Sequence, residues 1–147
     1  MIILRLLGHL WMCPNTLVGL FLASFCGYLH HDGDALLFVT KPDSFITRWM
    51  RGGGFFGLVK ATVGAVTVGA CIIIRDDQWE LWSERQSSIV WIRFIKHEQR
   101  HVWQQMVGGV FQPLAYVIGV GVAQLQGKDP YRDCFLELDA RRASGES

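Results

Sequence analysis

The segment His97-Glu98-Gln99-Arg100-His101, continuing as Val102-Trp103-Gln104-Gln105, organises everything else in this chain. On a helix, side chains four residues apart lie on one face, so both imidazoles can address a single ion. Glu98 follows the first histidine and can reach a water held there. Two neutral imidazoles suit Zn²⁺, and a carboxylate beside them can take a proton from water that the ion activates. The motif is short. In a chain of this composition it should arise by accident on the order of once in a hundred cases. Two histidines alone hold zinc poorly, so the reading turns on a third ligand.

Three downstream acids can supply that ligand: Asp133, Glu137 and Asp139. Glu137 sits in Phe135-Leu136-Glu137-Leu138-Asp139-Ala140-Arg141, where the pattern predicts a helix from near Asp133 through Arg142. Its apolar side can pack on the motif helix, and a glutamate projecting inward completes a His₂Glu set. Cys134, close by, is a further thiolate that could touch the ion.

Outward from the motif, Ser87 or Ser88 can cap its helix, which ends near Gly108-Gly109. Ile92, Ile95, Val102 and Met106 supply a buried side at helical spacing. Pro113 opens a second apolar helix through Leu125, short for a membrane span, with Ala115, Gly119 and Ala123 as a small-residue stripe. Gly127-Lys128-Asp129-Pro130 ends it. Upstream, Leu10 to Leu29 is an apolar block, helical from Pro14. Its Gly19, Ala23 and Gly27 fall four apart and would let another helix come close. The block reads as a core-packed or membrane-resting helix or a span; a signal peptide ranks below these for want of a small-x-small cleavage site. Ala35 to Thr40 reads as a strand, Lys41-Pro42-Asp43-Ser44 as a turn, and Leu58 to Ile74 as strands bent at Gly64 and Gly69. Arg51-Gly52-Gly53-Gly54 lacks the Gly-Lys-Ser/Thr of a phosphate loop and reads as a flexible connection. Asp76-Asp77 reads as a turn and His30-His31-Asp32 as a polar loop.

The length supports one domain with a real core. A net charge of +1, with no basic stripe among aromatics, argues against nucleic acid as partner. Hydrophobic residues make up 50% of the chain and mean hydropathy is +0.24, which brings membrane contact into view. Six tryptophans suit core bulk or anchorage at a lipid interface. Cys13, Cys26, Cys71 and Cys134 form no C-x-x-C and lie among apolar residues, the pattern of reduced core thiols.

The pairing of His97-Glu98-x-x-His101-Val102-x-Gln104-Gln105 with Glu137-x-x-Ala140 resembles the gluzincin metallopeptidases, especially their smallest members. Pro14-Asn15-Thr16-Leu17-x-Gly19-Leu20, Pro113-Leu114-Ala115-Tyr116 and Tyr131-Arg132-Asp133 before Phe135-x-Glu137 resemble a family of small bacterial zincin-like proteins. These matches touch most of the chain at low density. The resemblance implies a zincin-like fold, Zn²⁺ as cofactor, Glu137 as third ligand and a peptide or protein substrate. In that group the segment after the motif helix closes as Glu-x-x-Ala-Asp, the Asp supporting the site from behind. Arg141 stands there in this chain, and Asp139 could take over part of that role.

The roles expected from position are then these. His97, His101 and Glu137 hold the ion, each imidazole needing an acceptor at its other nitrogen. Glu98 is the catalytic base and returns its proton to the leaving amine. Tyr116, Tyr131, Arg132 or Arg100 steadies the oxyanion, and Trp103 and Gln104 pack or orient around the ligands. The expected architecture is α+β: an apolar N-terminal helix over 1–30, a zincin-like domain over 31–142 and a tail at 143–147. A small sheet from Ala35 to Ile74 should place its strand nearest the motif helix at an edge, where a peptide could add as a further strand. The expected function is a zinc-dependent hydrolase, a peptidase, associated with a membrane or else cytoplasmic. The competing readings are a catalytically inactive zincin-like metal-binding protein and a small membrane-associated structural protein. The bland one for the histidines alone is a surface pair beside a glutamate.

Overall fold

Cys71-Ile72-Ile73-Ile74 is apolar at every position, so its two faces must both be covered. In the computed structural model, which describes residues 2–52, 63–83 and 88–146, this run is a strand buried throughout. The four strands are β1 (Cys26–Asp32), β2 (Ala35–Thr40), β3 (Ala65–Val68) and β4 (Cys71–Ile74), in the order β1-β2-β4-β3. β2 and β4 run parallel; the outer pairs are antiparallel. The helices are α1 (Ile2–Ala23), α2 (Phe45–Arg51), α3 (Asp76–Ser83), α4 (Ile89–Gly108), α5 (Gln112–Leu125) and α6 (Phe135–Ser144), with a 3₁₀ turn at Gly109–Phe111. The mixed α+β class and the apolar N-terminal helix are as expected.

Alternation along the strands divides the core. Leu37, Ile72 and Ile74 face α1 and α4, where Met12, Ile95 and Val102 meet them. Phe38, Cys71 and Ile73 face the other way, onto Ile46 and Met50 of α2 and Ala23 at the end of α1. A smaller cluster of Val120, Cys134 and Leu136 joins α5 to α6.

Several elements differ from expectation. α1 begins at Ile2 and runs through Pro14 instead of starting there. Proline costs a helix one hydrogen bond, and Pro14 lies on the exposed side. The helix stops at Ala23, and 26–32 form β1, because β2 needs a partner and Gly33, at φ +60°, permits the tight turn to Ala35. His30-His31-Asp32 is therefore strand, with both histidines exposed. Asp76-Asp77 opens α3, where acids suit the positive end of the helix. Asp76 accepts from the Thr40 hydroxyl at 3.3 Å, and Asp77 pairs with buried Arg75. α2 had no counterpart in the pattern; Ser44 caps it by accepting from Thr47 N. Of 58–74, only the part from 63 lies within the described residues, and there Gly69 is the turn between β3 and β4 as anticipated.

The stripe in α1 meets a hairpin, not a helix. A Cβ on Gly19 would collide with Val68 O, and one on Gly69 with the backbone of Thr16. Gly69 also has φ +61°, so a side chain there is strained as well as crowded. The Thr16 hydroxyl accepts from Ala70 N at 3.1 Å and closes the contact. In α5, Gly119 gives room to Cys134 and Phe135 of the α6 segment. All four cysteines are free, and burial pushes the Cys71 thiol up to about 11.

Candidate metal centre

Ser88 starts the site by accepting from Trp91 N at 3.3 Å, which caps α4 and sets its phase. Ile95 and Val102 then anchor α4 on the sheet, and the helix also packs along α6. Glu137 enters from the first turn of α6. His97 Nε2 lies 3.3 Å from Glu137 Oε2, His101 Nε2 lies 3.5 Å from Glu137 Oε1, and the two Nε2 atoms are 3.1 Å apart. Glu137 is 3% exposed and His101 9%, while the His97 side chain is 12% exposed. Among the described residues this is the group of three whose donor atoms all lie within 4.8 Å of one another.

The donor set fits a tetrahedral ion. Ligand atoms about 2.0–2.1 Å from zinc lie about 3.4 Å from each other, and here the two imidazole nitrogens are 3.1 Å apart with a different Glu137 oxygen near each of them. Glu137 Oε2 is buried with no hydrogen-bond partner among the described residues, as is His97 Nδ1. That carboxylate oxygen faces His97 Nε2 at 3.3 Å, and a cation bound between them would satisfy both atoms.

Gln104 settles the state of His101. Its amide nitrogen donates to Leu136 O at 2.9 Å and to Asp139 Oδ2 at 2.8 Å. Both donations orient the amide, so its oxygen faces His101 Nδ1 at 2.9 Å and that nitrogen carries the proton. In the neutral ring, Nε2 is left bare toward Glu137 and His97. Asp139 is held in turn by a two-pronged pair with Arg100, at 2.7 and 2.9 Å, and the guanidinium stacks 4.0 Å over Trp103. Gln104→Met should therefore weaken zinc binding about 10- to 100-fold, read by competition with a chromophoric chelator. An unchanged constant would show that this support is dispensable.

Without an ion the three side chains pair as acid and base. Burial works against the charge of His101, but the hydrogen bond and charge of Glu137 overcome it and raise the imidazole to about 9. Burial likewise favours neutral Glu137, yet the imidazoles of His101 and His97 beside it bring it down to about 2. The raised His101 value stabilises the metal-free fold fully below its ordinary 6.5, and that stability is lost as pH rises through about 9. The lowered Glu137 value stabilises it above 4.5, lost as pH falls toward 2. A bound ion must displace the His101 proton, so zinc affinity should rise about tenfold per pH unit from 7 until it levels near 9. Calorimetry in buffers of different ionisation enthalpy should show proton release at pH 7.5 fading above 9; no release would contradict the pairing.

Glu98 is 7% exposed, and Thr67 of β3 donates to its Oε2 at 2.6 Å. Thr67 O accepts from Gln105 Nε2 at 2.9 Å. Asn15 of α1 donates to Gln105 Oε1 at 3.0 Å and to Gly109 O at 2.7 Å. A polar seam thus ties the general-base candidate to β3, α4 and α1. β3 is at the sheet edge beside α4, as expected, but its Thr67 carbonyl is already taken by Gln105 and is closed to an added peptide strand.

The other candidates separate cleanly. Asp133 accepts from Asp129 N in the turn before α6, and Asp139 serves Gln104 and Arg100. Cys134 stands at the start of α6 without a side-chain cap and lies against Gly119, and its thiol is not among the donor atoms that meet within 4.8 Å. Of the possible oxyanion partners, Arg100 is committed to Asp139 and Arg132 is exposed. Tyr116 donates to Glu137 Oε1 at 3.2 Å. Tyr131 is held protonated by burial, then by the charges of Glu137 and Glu98. Thr67, Gln105 and Asn15 were missed. Asn15 and Gln105 had one signal, a polar residue on an otherwise apolar helical face; Thr67 is an ordinary strand residue and had none.

No family model, curated protein or solved structure matches this chain. The reading of the site rests on its own geometry.

Proposed function

We propose that this chain is a zinc-dependent hydrolase with a minimal zincin-like fold, a peptidase acting on a peptide or protein substrate at or near a membrane. The observation that carries the reading is the convergence of His97, His101 and Glu137 on one buried point, with the His101 tautomer set so that its free nitrogen points there. The ion, when bound, supplies Lewis-acid polarisation and a water that loses its proton near neutral pH. Glu98, steadied by Thr67 through one oxygen, takes that proton and returns it to the leaving amine. Tyr131 is the group we assign to the developing oxyanion, because Arg100, Arg132 and Tyr116 are engaged or remote. The membrane setting is supported by two helical stretches, Ile3–Ala23 and Ile89–Leu125, that are long and apolar enough to cross a bilayer.

The test is elemental analysis of the purified chain, followed by incubation of the zinc-loaded protein with a mixed peptide library and mass-spectrometric mapping of cut sites. Bound zinc with a reproducible cleavage preference is expected. A folded chain that takes up no zinc, even when metal is added, ends the proposal.

A further inference from the structure

Residues 6–31 contain no Asp, Glu, Lys or Arg, and neither do residues 101–127. The fold brings these two stretches together. Trp11 and Phe111 meet with ring centroids 6.0 Å apart, Gly8 packs against Met106, and Asn15 bonds to Gln105 and Gly109. From Leu6 onward α1, and likewise the 3₁₀ turn and α5, thus carry no formal charge, and the outward row of α1 continues onto the turn through Trp11 and Phe111.

The polarity of α1 is inverted for a helix facing water. Its inward row includes Asn15 and Thr16, which spend their hydrogen bonds on the protein, while Leu10, Leu17 and Phe21 on the outward row are 71%, 62% and 66% exposed. A surface helix in water shows the reverse. α5 repeats the pattern, with Gln112 buried and Val117 and Ile118 exposed. Exposed cations border both stretches: Arg5, 64% exposed at its side chain and 3.8 Å from Asp34, before the first, and Lys128 after the second, while Arg100 is tied to Asp139. Cations bordering an apolar face complement anionic headgroups. Exposed Arg93 and Lys96 on α4, and the packing of α1 along the β3–β4 hairpin, are incompatible with burial of the whole molecule in hydrocarbon.

We propose that the charge-free outward faces of α1, the 3₁₀ turn and α5 all lie in the interfacial layer of an anionic bilayer, with the sheet and the charged half of α4 toward water. The proposal stands on this surface alone and does not depend on the metal reading.

The experiment is flotation of the full chain with vesicles of phosphatidylcholine and phosphatidylglycerol, beside a Leu10→Glu/Leu17→Glu/Val117→Glu variant. The wild type should float, and the variant's partitioning should fall roughly 100-fold or more while its zinc content and circular dichroism are unchanged. A wild type that stays in the aqueous fraction, for instance as a stable dimer joined through this face, overturns the proposal. So does a triple variant that floats as well as the wild type. As a second measurement that needs no charged variant, acyl chains brominated near the headgroup should quench tryptophan emission in the wild type, and Trp11→Phe should remove part of that quenching. No quenching in the wild type overturns it equally.

Discussion

A His97→Ala/His101→Ala variant should carry almost no zinc where the wild-type chain carries about one ion per molecule. The two imidazoles supply two of the three protein donors, and Glu137 alone cannot hold the ion in place. The loss should also appear in stability. Free zinc at about 1,000 times Kd adds about 4 kcal/mol by mass action, which for a chain of this length raises Tm by about 10 °C. The double variant should show no such rise. It also strands the Glu137 carboxylate at 3% exposure with both cationic partners removed, at a cost of about 3 kcal/mol or more. Glu137→Gln is therefore the companion variant, since it removes the charged ligand and keeps the shape. It too should lose the zinc-dependent rise in Tm. If either variant binds zinc as the wild type does, these residues are an ion-paired cluster and not a metal centre.

Glu98→Gln should leave zinc content unaltered and reduce peptide cleavage by about 10²-fold at least, toward 10⁴-fold. Glutamine keeps an oxygen that can accept from the Thr67 hydroxyl, so the seam through Gln105 and Asn15 survives. Only the basicity is removed. The outcome separates the readings that share the fold. Zinc retained with activity lost supports the hydrolase. Zinc retained with the same function in wild type and variant means an ion kept for structure or partner binding.

The site was legible because its ligands obey helical spacing. His97 and His101 are one turn apart on α4, and Glu137 is a buried acid inside an amphipathic pattern. Local periodicity determines the shared face of the histidines and the place of Glu137 in its pattern, while the burial of Glu137 comes from the packing of α6 on α4. Asp139 as a substitute support was also readable, although its route is indirect: it reaches His101 only through Gln104. β1 was not readable. Cys26–Asp32 continues an apolar run that helix and strand tolerate alike, and its pairing with β2 depends on a partner outside the segment. α2 is too short at 45–51 for its periodicity to stand out, and Asp76-Asp77 looks alike as a turn or a helix start.

What this chain's residues determined alone is therefore the local part: the class of fold, the motif helix with a serine cap at Ser87 or Ser88, the one-turn spacing of His97 and His101, and the apolar character of the N-terminal block and of 113–125. Tertiary structure decided the rest. It chose the hairpin, not a helix, as the neighbour of Gly19, because only the turn at Gly69 brings a backbone close enough. It recruited Thr67 to Glu98 and closed the β3 carbonyl with Gln105, contacts that join residues far apart in the chain. It also left the apolar rows of α1 and α5 outward. Side-chain order along a helix is set by a period of 3.6 residues, but which face meets protein and which is left outward is set by what packs against it.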